Sequence, residues 1–274
     1  MSFNYYEQLP SEDLKGVVKK FFVIDYTANE ITTDFLLPDG TPSLSYLFPR
    51  GYDIQGQFLG EPVGEVVFEN SFYAGYGNTS LEFKHGPFKV VGANIYPVYL
   101  SLIFSIGSGD FMNNFVRVNT LKGFENVEEE VNFPEDDDQL GFQQIGDFVK
   151  SRLRSNAFLA DFQKVHDRLI APDGHLLSVE DLADFLGYST RHLSNMFNRH
   201  MGMSPKKFLK LVRFNQVLTL MEQTDENLGR LAYEVGYHDQ AHFIRDFKSI
   251  CGKTPKELSA MLPDSLARKF RFGD

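Results

Sequence analysis

Apolar side chains in the last third of the chain recur at helical spacing, and the same pattern is present twice between residues 182 and 257. In the first copy the apolar positions lie three or four residues apart, as one face of a short helix requires, at Val179, Leu182, Ala183 and Leu186. Leu231 repeats Leu182 at an offset of 49 positions, and the offset becomes 50 after Tyr237 because His238 is an additional residue. Such repetition predicts two copies of one supersecondary unit.

Each copy has the residues that a helix, a sharp turn and a second helix need. Gly187 and Gly236 can adopt the left-handed conformation that ends a helix and turns the chain. Ser189 and Asp239 follow them and can cap the next helix. The buried side of that next helix is predicted from its apolar positions, which are Leu193, Met196 and Phe197 in the first copy and Phe243 and Phe247 in the second. The pattern therefore predicts two helix-turn-helix units.

The second helix of each unit carries polar side chains on its predicted outer face. These are Thr190, Arg191, Ser194 and Asn195 in the first copy, and Gln240, Ala241, Ile244 and Arg245 in the second. A single helix fits the major groove of DNA and can bring such side chains to the edges of the bases. The alternative is that both units are ordinary helical hairpins in a bundle that binds no DNA.

The stretch from about Leu176 to Leu262 resembles the tandem helix-turn-helix domain of the AraC/XylS family of transcriptional regulators. The resemblance rests on the turn residues described above and on Gly202 and Gly252, each of which is followed two residues later by Ser-Pro or Thr-Pro. It implies that the two second helices are recognition helices that enter successive major grooves. It also implies that a long helix, from Pro205 to about Glu222, holds them apart.

Base contacts are carried over from the family one position at a time. The resemblance places them at Arg191, Asn195, Gln240, Ala241 and Arg245. Asn195 departs from the family pattern, in which arginine is common, and asparagine reads adenine where arginine reads guanine. The first half-site is therefore expected to prefer different bases, whereas Ala241 can offer only an apolar contact, for instance to a thymine methyl group.

The first 120 residues predict mostly β structure. Short segments rich in β-branched and aromatic residues, separated by Gly, Pro or Asn, are candidate strands at 17–26, 43–48, 54–59, 64–69, 71–75, 80–84 and 88–95. The spacing is typical of a small barrel or sandwich. Segments 36–40 (Leu-Leu-Pro-Asp-Gly) and 92–97 (Gly-Ala-Asn-Ile-Tyr-Pro) resemble the N-terminal sensor domain found beside some AraC-type domains. That resemblance implies a cupin-like fold that binds a small effector and contributes to a dimer.

The chain is long enough for two domains and a connecting segment. Apolar spacing predicts helices from about Gln139 to Ser155 and from about Phe158 to Ile170. The expected division is a β-rich sensor and dimerisation domain over 1–134, a helical linker over 135–171, and the tandem helix-turn-helix domain over 172–274. The expected fold class is α+β.

The net charge of −10 looks unfavourable for a DNA-binding protein until it is divided between the two parts. Residues 172–274 carry 14 basic and 13 acidic side chains, so the excess of acid lies in the first 171 residues. Phosphate contacts are expected from Thr190 and from basic residues of the C-terminal part, namely Arg199, Lys206, Lys207, Lys210, Arg213, Lys248 and Lys253. Nearly neutral charge predicts modest non-specific affinity for DNA.

The sequence offers little for catalysis. His85 is the only histidine before residue 166, so a metal centre in a cupin-like domain is not expected, and no phosphate-binding loop, nucleophile elbow or zinc-protease motif is present. One cysteine, Cys251, rules out an internal disulfide and suits a reducing cytoplasm, and no long apolar run predicts a membrane span. The expectation is a cytoplasmic protein that is not an enzyme, with no cofactor and no metal.

These observations predict a sequence-specific transcription regulator. Its expected partners are double-stranded DNA, a small-molecule effector, a second copy of the chain, and RNA polymerase if it activates transcription. The alternative is a metabolite-binding or protein-interaction module whose helical domain no longer binds DNA. The weak basic charge and the asparagine at position 195 motivate this alternative.

Overall fold

The computed structural model describes residues 3–59, 65–153, 158–169, 173–223 and 228–261. Within them, ten strands occupy the N-terminal part: β1 (Phe3–Gln8), β2 (Val18–Tyr26), β3 (Thr32–Leu36), β4 (Ser43–Pro49), β5 (Ile54–Phe58), β6 (Glu65–Phe68), β7 (Ser71–Tyr76), β8 (Leu81–His85), β9 (Phe88–Ile95) and β10 (Asn114–Arg117). The helices are α1 (Pro97–Phe104), α2 (Val127–Glu130), α3 (Asp138–Arg152), α4 (Phe158–Leu169), α5 (Val179–Leu186), α6 (Thr190–Met201), α7 (Pro205–Gln223), α8 (Leu228–Glu234), α9 (Gln240–Cys251) and α10 (Pro255–Met261). The expected α+β class is confirmed.

The strands form two antiparallel sheets. One sheet has the order β1-β2-β9-β4-β7-β10 and the other has the order β3-β8-β5-β6. Apolar side chains from both sheets form a common cluster between them, with Phe22, Phe58 and Phe83 among its members. No strand pairing among the described residues joins the sheets, so the barrel-or-sandwich alternative is decided in favour of two facing sheets.

The burial pattern of each strand reflects what covers its sheet. β5 alternates buried and exposed residues, as expected for a sheet with one face in water. All six residues of β7 are buried, because the larger sheet also has helices on its outer face. Phe142 and Ile145 of α3 belong to the same apolar cluster as Phe21 and Val91 of that sheet.

Most predicted strands are present with bounds shifted by one or two residues, and 88–95 is reproduced without a shift. Three strands were not predicted, namely β1, β3 and β10. Their sequences are polar, and each is half exposed, so apolar alternation is weak. β3 and β10 pair with strands that are distant in sequence, whereas β1 pairs with β2. Pairing with a distant strand produces no pattern in the local sequence.

Both helix-turn-helix units form as predicted. Gly187 and Gly236 have φ values of 71° and 86° at the turns. Ser189 accepts a hydrogen bond from the backbone N–H of His192, and Asp239 accepts one from that of Ala241. The predicted long helix is α7. None of the helices in the described residues combines the length and apolar character that crossing a membrane would require.

The two units have separate cores. Leu193, Phe197 and Met201 of α6 extend the apolar cluster that begins under the larger sheet. Phe243 and Phe247 of α9 belong to a second cluster, which also includes Phe35 of β3. The first unit is therefore packed against the larger sheet, whereas the second is packed mainly around α7, with Phe35 as a contact from the β-rich part.

The turn glycines provide a test of this local structure. Gly187→Ala should lower the free energy of unfolding by about 1 kcal/mol, because an L side chain is strained at positive φ while a Cβ at this site meets no atom within 4 Å. Denaturation by urea measures the change. Gly107→Ala is the control, since Gly107 has a φ of −65° and its Cβ would approach Asp110 Oδ2 to an ordinary 3.8 Å. Equal losses for both variants would contradict the explanation.

Candidate nucleic-acid interface

The recognition helices α6 and α9 each bury one face and present the other to solvent. α6 buries Leu193, Phe197 and Met201, which are spaced by four residues, and α9 buries Phe243 and Phe247 in the same way. The residues predicted to contact bases are all exposed, namely Arg191 and Asn195 on α6 and Gln240, Ala241 and Arg245 on α9. Residues four apart share a helix face, so Arg191 lies beside Asn195, and Ala241 beside Arg245.

A tyrosine after the turn and a histidine in the first turn of the recognition helix pack together in both units. The rings of Tyr188 and His192 have centroids 4.5 Å apart, and those of Tyr237 and His242 have centroids 5.3 Å apart. The Tyr188 hydroxyl also donates a hydrogen bond to Asp161 of α4. The two histidines therefore have equivalent packing positions in the two units.

Asp246 is the shared acceptor of a polar network that attaches α9 to α7. Lys210 Nζ lies 2.8 Å from Asp246 Oδ1 and donates a second bond of 2.8 Å to Ser249 Oγ. The Tyr237 hydroxyl donates to the other oxygen of Asp246 at 3.2 Å. Burial, together with the nearby Asp246 charge, raises the pKa of Tyr237 to about 12, so its hydroxyl remains a donor at neutral pH.

The residues predicted to contact phosphates fall into two groups. Thr190, Arg199, Lys206 and Lys248 are exposed. Lys210 and Arg213 are half-buried, and the Arg213 guanidinium lies 5.8 Å from the centre of the Tyr237 ring. Lys210 already uses two of its three N–H donors on Asp246 and Ser249, and Asp246 compensates its charge. Burial, followed by the charge of Lys210, also lowers the pKa of Lys207.

A cavity of about 630 Å³ opens between the two sheets and extends to α7. Its apolar wall includes Phe22, Ile24, Phe58, Leu81 and Phe115, and its polar wall includes Tyr5, Lys20, Asn94, Thr79 and Thr219. The Lys20 ammonium forms an ion pair with Glu7, so its charge is compensated. Thr79 Oγ1 is buried and has no hydrogen-bond partner among the described residues.

Sequence reasoning did not identify Asp246 or the tyrosines as parts of the interface. The tyrosines stand at the same place in both copies, directly after the turn glycine, and that repetition was an available signal. Asp246 has no counterpart in the first copy, where Met196 occupies the equivalent position. In the part of the chain that the structure describes, no group of three or more His, Cys, Asp or Glu side chains could hold a metal ion.

The C-terminal part of the chain is similar in sequence to known proteins. The sequence profile of a family described as "Helix-turn-helix domain" matches residues 182–261. An uncharacterized HTH-type transcriptional regulator of Haemophilus influenzae is 34% identical over 79 residues, which are 29% of this chain and 26% of that protein. One from Staphylococcus aureus is 33% identical over 81 residues, 30% of this chain and 11% of that protein. The chain thus matches only about a quarter or less of the length of these relatives.

Among solved structures, ToxT from Vibrio cholerae covers 96% of this chain and 99% of its own, with 13% identity and a TM-score of 0.49. The C-terminal domain of AraT, a response regulator from Geobacillus stearothermophilus, covers 37% of this chain and 84% of its own, with 25% identity and a TM-score of 0.34. The profile match and the relatives agree with the repeated turns, caps and recognition helices described above. Residues 182–261 of this chain are therefore a helix-turn-helix domain, similar to those of HTH-type transcriptional regulators.

Proposed function

We propose that the chain is a sequence-specific DNA-binding transcription regulator that reads two adjacent major grooves with α6 and α9. The observation that carries this proposal is that both recognition helices are anchored by a buried apolar face and expose polar side chains at i, i+4 spacing. A helix held in this way can enter the major groove with its side chains directed at base edges.

Each exposed side chain is assigned a role from its hydrogen-bonding groups. Arg191 and Arg245 suit guanine, which offers two acceptors to a guanidinium, whereas Asn195 and Gln240 suit adenine. Ala241 suits a thymine methyl group. The half-site read by α6 should therefore contain an adenine at the position read by Asn195.

Phosphate contacts are proposed for Thr190, Arg199, Lys206 and Lys248, all of which are exposed. Lys210 instead serves as a positioning residue, because its ammonium is bound to Asp246 and Ser249 and thereby attaches α9 to α7. Arg213 has a similar role against the Tyr237 ring.

We further propose that the cavity between the sheets binds a small effector that is mostly apolar and carries a hydrogen-bonding group. The cavity wall is largely aromatic and aliphatic, and Tyr5, Lys20 and Asn94 in the same wall offer polar groups to a ligand. Thr219 of α7 also lines the cavity, so an effector bound there would lie beside the helix that joins the two recognition units.

The chain acts on DNA in the cytoplasm without catalysing a reaction, as a dimer formed through its N-terminal or linker segment, and it contacts RNA polymerase if it activates transcription. The proposed domains remain 1–134, 135–171 and 172–274; the last boundary, at residues 171 and 172, falls outside the described residues.

The competing function is a metabolite-binding or protein-interaction module that has lost DNA binding. The nearly neutral charge of residues 172–274 favours it. It predicts that no duplex is enriched from a random pool, at low salt, with or without small molecules.

Arg245 is the residue at which base reading is tested. Selection of the purified protein on random duplex DNA should enrich a two-part site, and Arg245→Ala should lose about 1–3 kcal/mol of discrimination at one base position. Lys248→Ala should instead weaken binding to all duplexes and reduce the slope of log affinity against log salt by about 0.9. Lys122→Ala is the matched control, since Lys122 is exposed in the N-terminal part. Uniform effects of all three variants would contradict base reading.

Lys210 has two alternative roles, a phosphate contact and an attachment of α9 to α7, that substitution can separate. Lys210→Met should leave the salt slope of DNA binding unchanged, because its ammonium is engaged by Asp246. A double-mutant cycle with Asp246→Ala should show a coupling of about 1 kcal/mol in unfolding free energy, since both side chains are about three-quarters buried. The exposed pair Lys15–Glu12 should show no measurable coupling. A salt slope that falls in Lys210→Met would contradict this role and support a phosphate contact by Lys210.

The cavity between the sheets can be tested with a fluorescent probe. The fluorescent anion 8-anilinonaphthalene-1-sulfonate should bind the native protein saturably, and Ser43→Phe should weaken that binding about tenfold, a loss of about 1.4 kcal/mol, because Ser43 lines the cavity. Ser259→Phe, at an exposed position of α10, is the control. Equal binding by both variants would place the probe outside the cavity.

A further inference from the structure

The C-terminal ends of both recognition helices are bound by the β-rich part of the chain. On α6, Ser108 Oγ donates a 2.8 Å hydrogen bond to the backbone oxygen of His200, and the Tyr76 hydroxyl donates to that of Met201. On α9, the backbone N–H of Ser80 donates a 2.9 Å bond to the oxygen of Ile250. These oxygens belong to the last turn of each helix, where no partner exists within the helix.

The residues that end the two helices lie directly against the same part of the chain. Gly202 and Gly252 have φ values of 63° and 73°. A Cβ on Gly202 would lie 2.7 Å from the backbone N of Gly109, and a Cβ on Gly252 would lie 2.9 Å from Leu59 Cβ. Glycine is therefore required at both positions for two reasons, the left-handed backbone conformation and the close approach of the β-rich part.

The donors on the β-rich part are connected to one another. Asn78 N–H donates to Asn113 Oδ1 at 2.9 Å, and Asn113 Nδ2 donates back to Asn78 Oδ1 at 3.2 Å. The backbone N–H of Asn113 also donates to the oxygen of Tyr76 at 2.8 Å. We name residues 76–80 and 108–113 the platform, since these bonds join the two segments into one unit. Tyr76 and Phe111 within it are almost fully buried.

Apart from the platform, the recognition units are joined chiefly by α7. The first unit shares a core with the larger sheet and the second has a core of its own, so no common apolar cluster holds α6 to α9. α7 contributes Leu209 to one core and Leu211 to the other. A single helix shared in this way can bend or twist, and a bend would alter the separation of the recognition helices.

We propose that the platform is the positioning element that holds α6 and α9 at a fixed separation and rotation. The proposal rests on the function proposed above, because a fixed separation matters for reading two half-sites. One base pair changes the rotation between half-sites by about 34°, so a rigid pair of helices accepts one spacing and rejects its neighbours. The N-terminal part thus belongs to the DNA-reading unit, and the spacing of the site depends on it.

The experiment removes the platform's side-chain bonds to α6. Tyr76→Phe with Ser108→Ala deletes two donors and keeps the Tyr76 ring. Wild type should bind a duplex with the selected spacing and lose affinity when the spacing changes by one base pair. The double variant should lose about fivefold or more at the selected spacing, as expected for one or two hydrogen bonds, and should discriminate less between spacings. Affinity for a single half-site should not change.

Tyr73→Phe is the matched control, because Tyr73 lies on the same strand and its hydroxyl bonds to Glu69 rather than to a recognition helix. Circular dichroism and thermal unfolding confirm that each variant is folded, and Ser108→Ala alone is used if the double variant is not. Unchanged spacing preference in a folded variant would overturn the proposal and assign the spacing to α7.

A measurement without DNA separates this proposal from the proposed function. Spin labels on cysteines introduced at Asn198 and Lys248, which are exposed on α6 and α9, report the distance between the helices, while Cys251 is buried. Wild type should give one narrow distance distribution, and the double variant a broader one. A narrow distance distribution in the double variant as well as in wild type would overturn the proposed role of the platform, whether or not the protein binds DNA. If wild type binds no duplex, the proposed function fails, and these distances still decide whether the platform holds the helices.

Discussion

The end of a helix leaves backbone oxygens without partners, and burying such an end requires donors from elsewhere in the chain. Both recognition helices end against the β-rich part, so this requirement is met there by Tyr76, Ser80 and Ser108. Burial raises the pKa of Tyr76 well above its usual range, which keeps its hydroxyl protonated as a donor. The β-rich part and the helical part are thereby joined by specific bonds as well as by apolar contact.

The same helix-turn-helix unit is held differently in its two copies. α6 packs into the apolar cluster of the larger sheet. The Tyr188 hydroxyl, in the turn before α6, donates a hydrogen bond to Asp161 of α4. α9 packs on α7 and is attached through Lys210 and Asp246. A common turn and cap therefore specify each unit, whereas different neighbours specify where that unit lies.

Charged side chains have different roles in the N-terminal part and in the recognition helices. Ion pairs in the N-terminal part connect elements: Arg50 lies 2.6 Å from Asp25 and 2.7 Å from Glu135, and Lys89 lies 2.7 Å from Asp138. These pairs bind the start of α3 to the sheet. The recognition helices carry few basic side chains, so the proposed DNA binding would depend more on base contacts than on charge.

The sequence by itself determined the features that depend on neighbouring residues. The repeat, the left-handed glycines at 187 and 236, the caps at 189 and 239 and the exposed faces of both recognition helices follow from spacing and side-chain chemistry within about ten residues. Only the tertiary structure decided the features that depend on distant segments. These are the strands β1, β3 and β10, the pairing of Lys210 with Asp246, and the contacts of Tyr76 and Ser108 with α6. A lysine or tyrosine has the same local pattern whether it meets solvent, a phosphate or a buried oxygen, because its partner is chosen by how the chain packs.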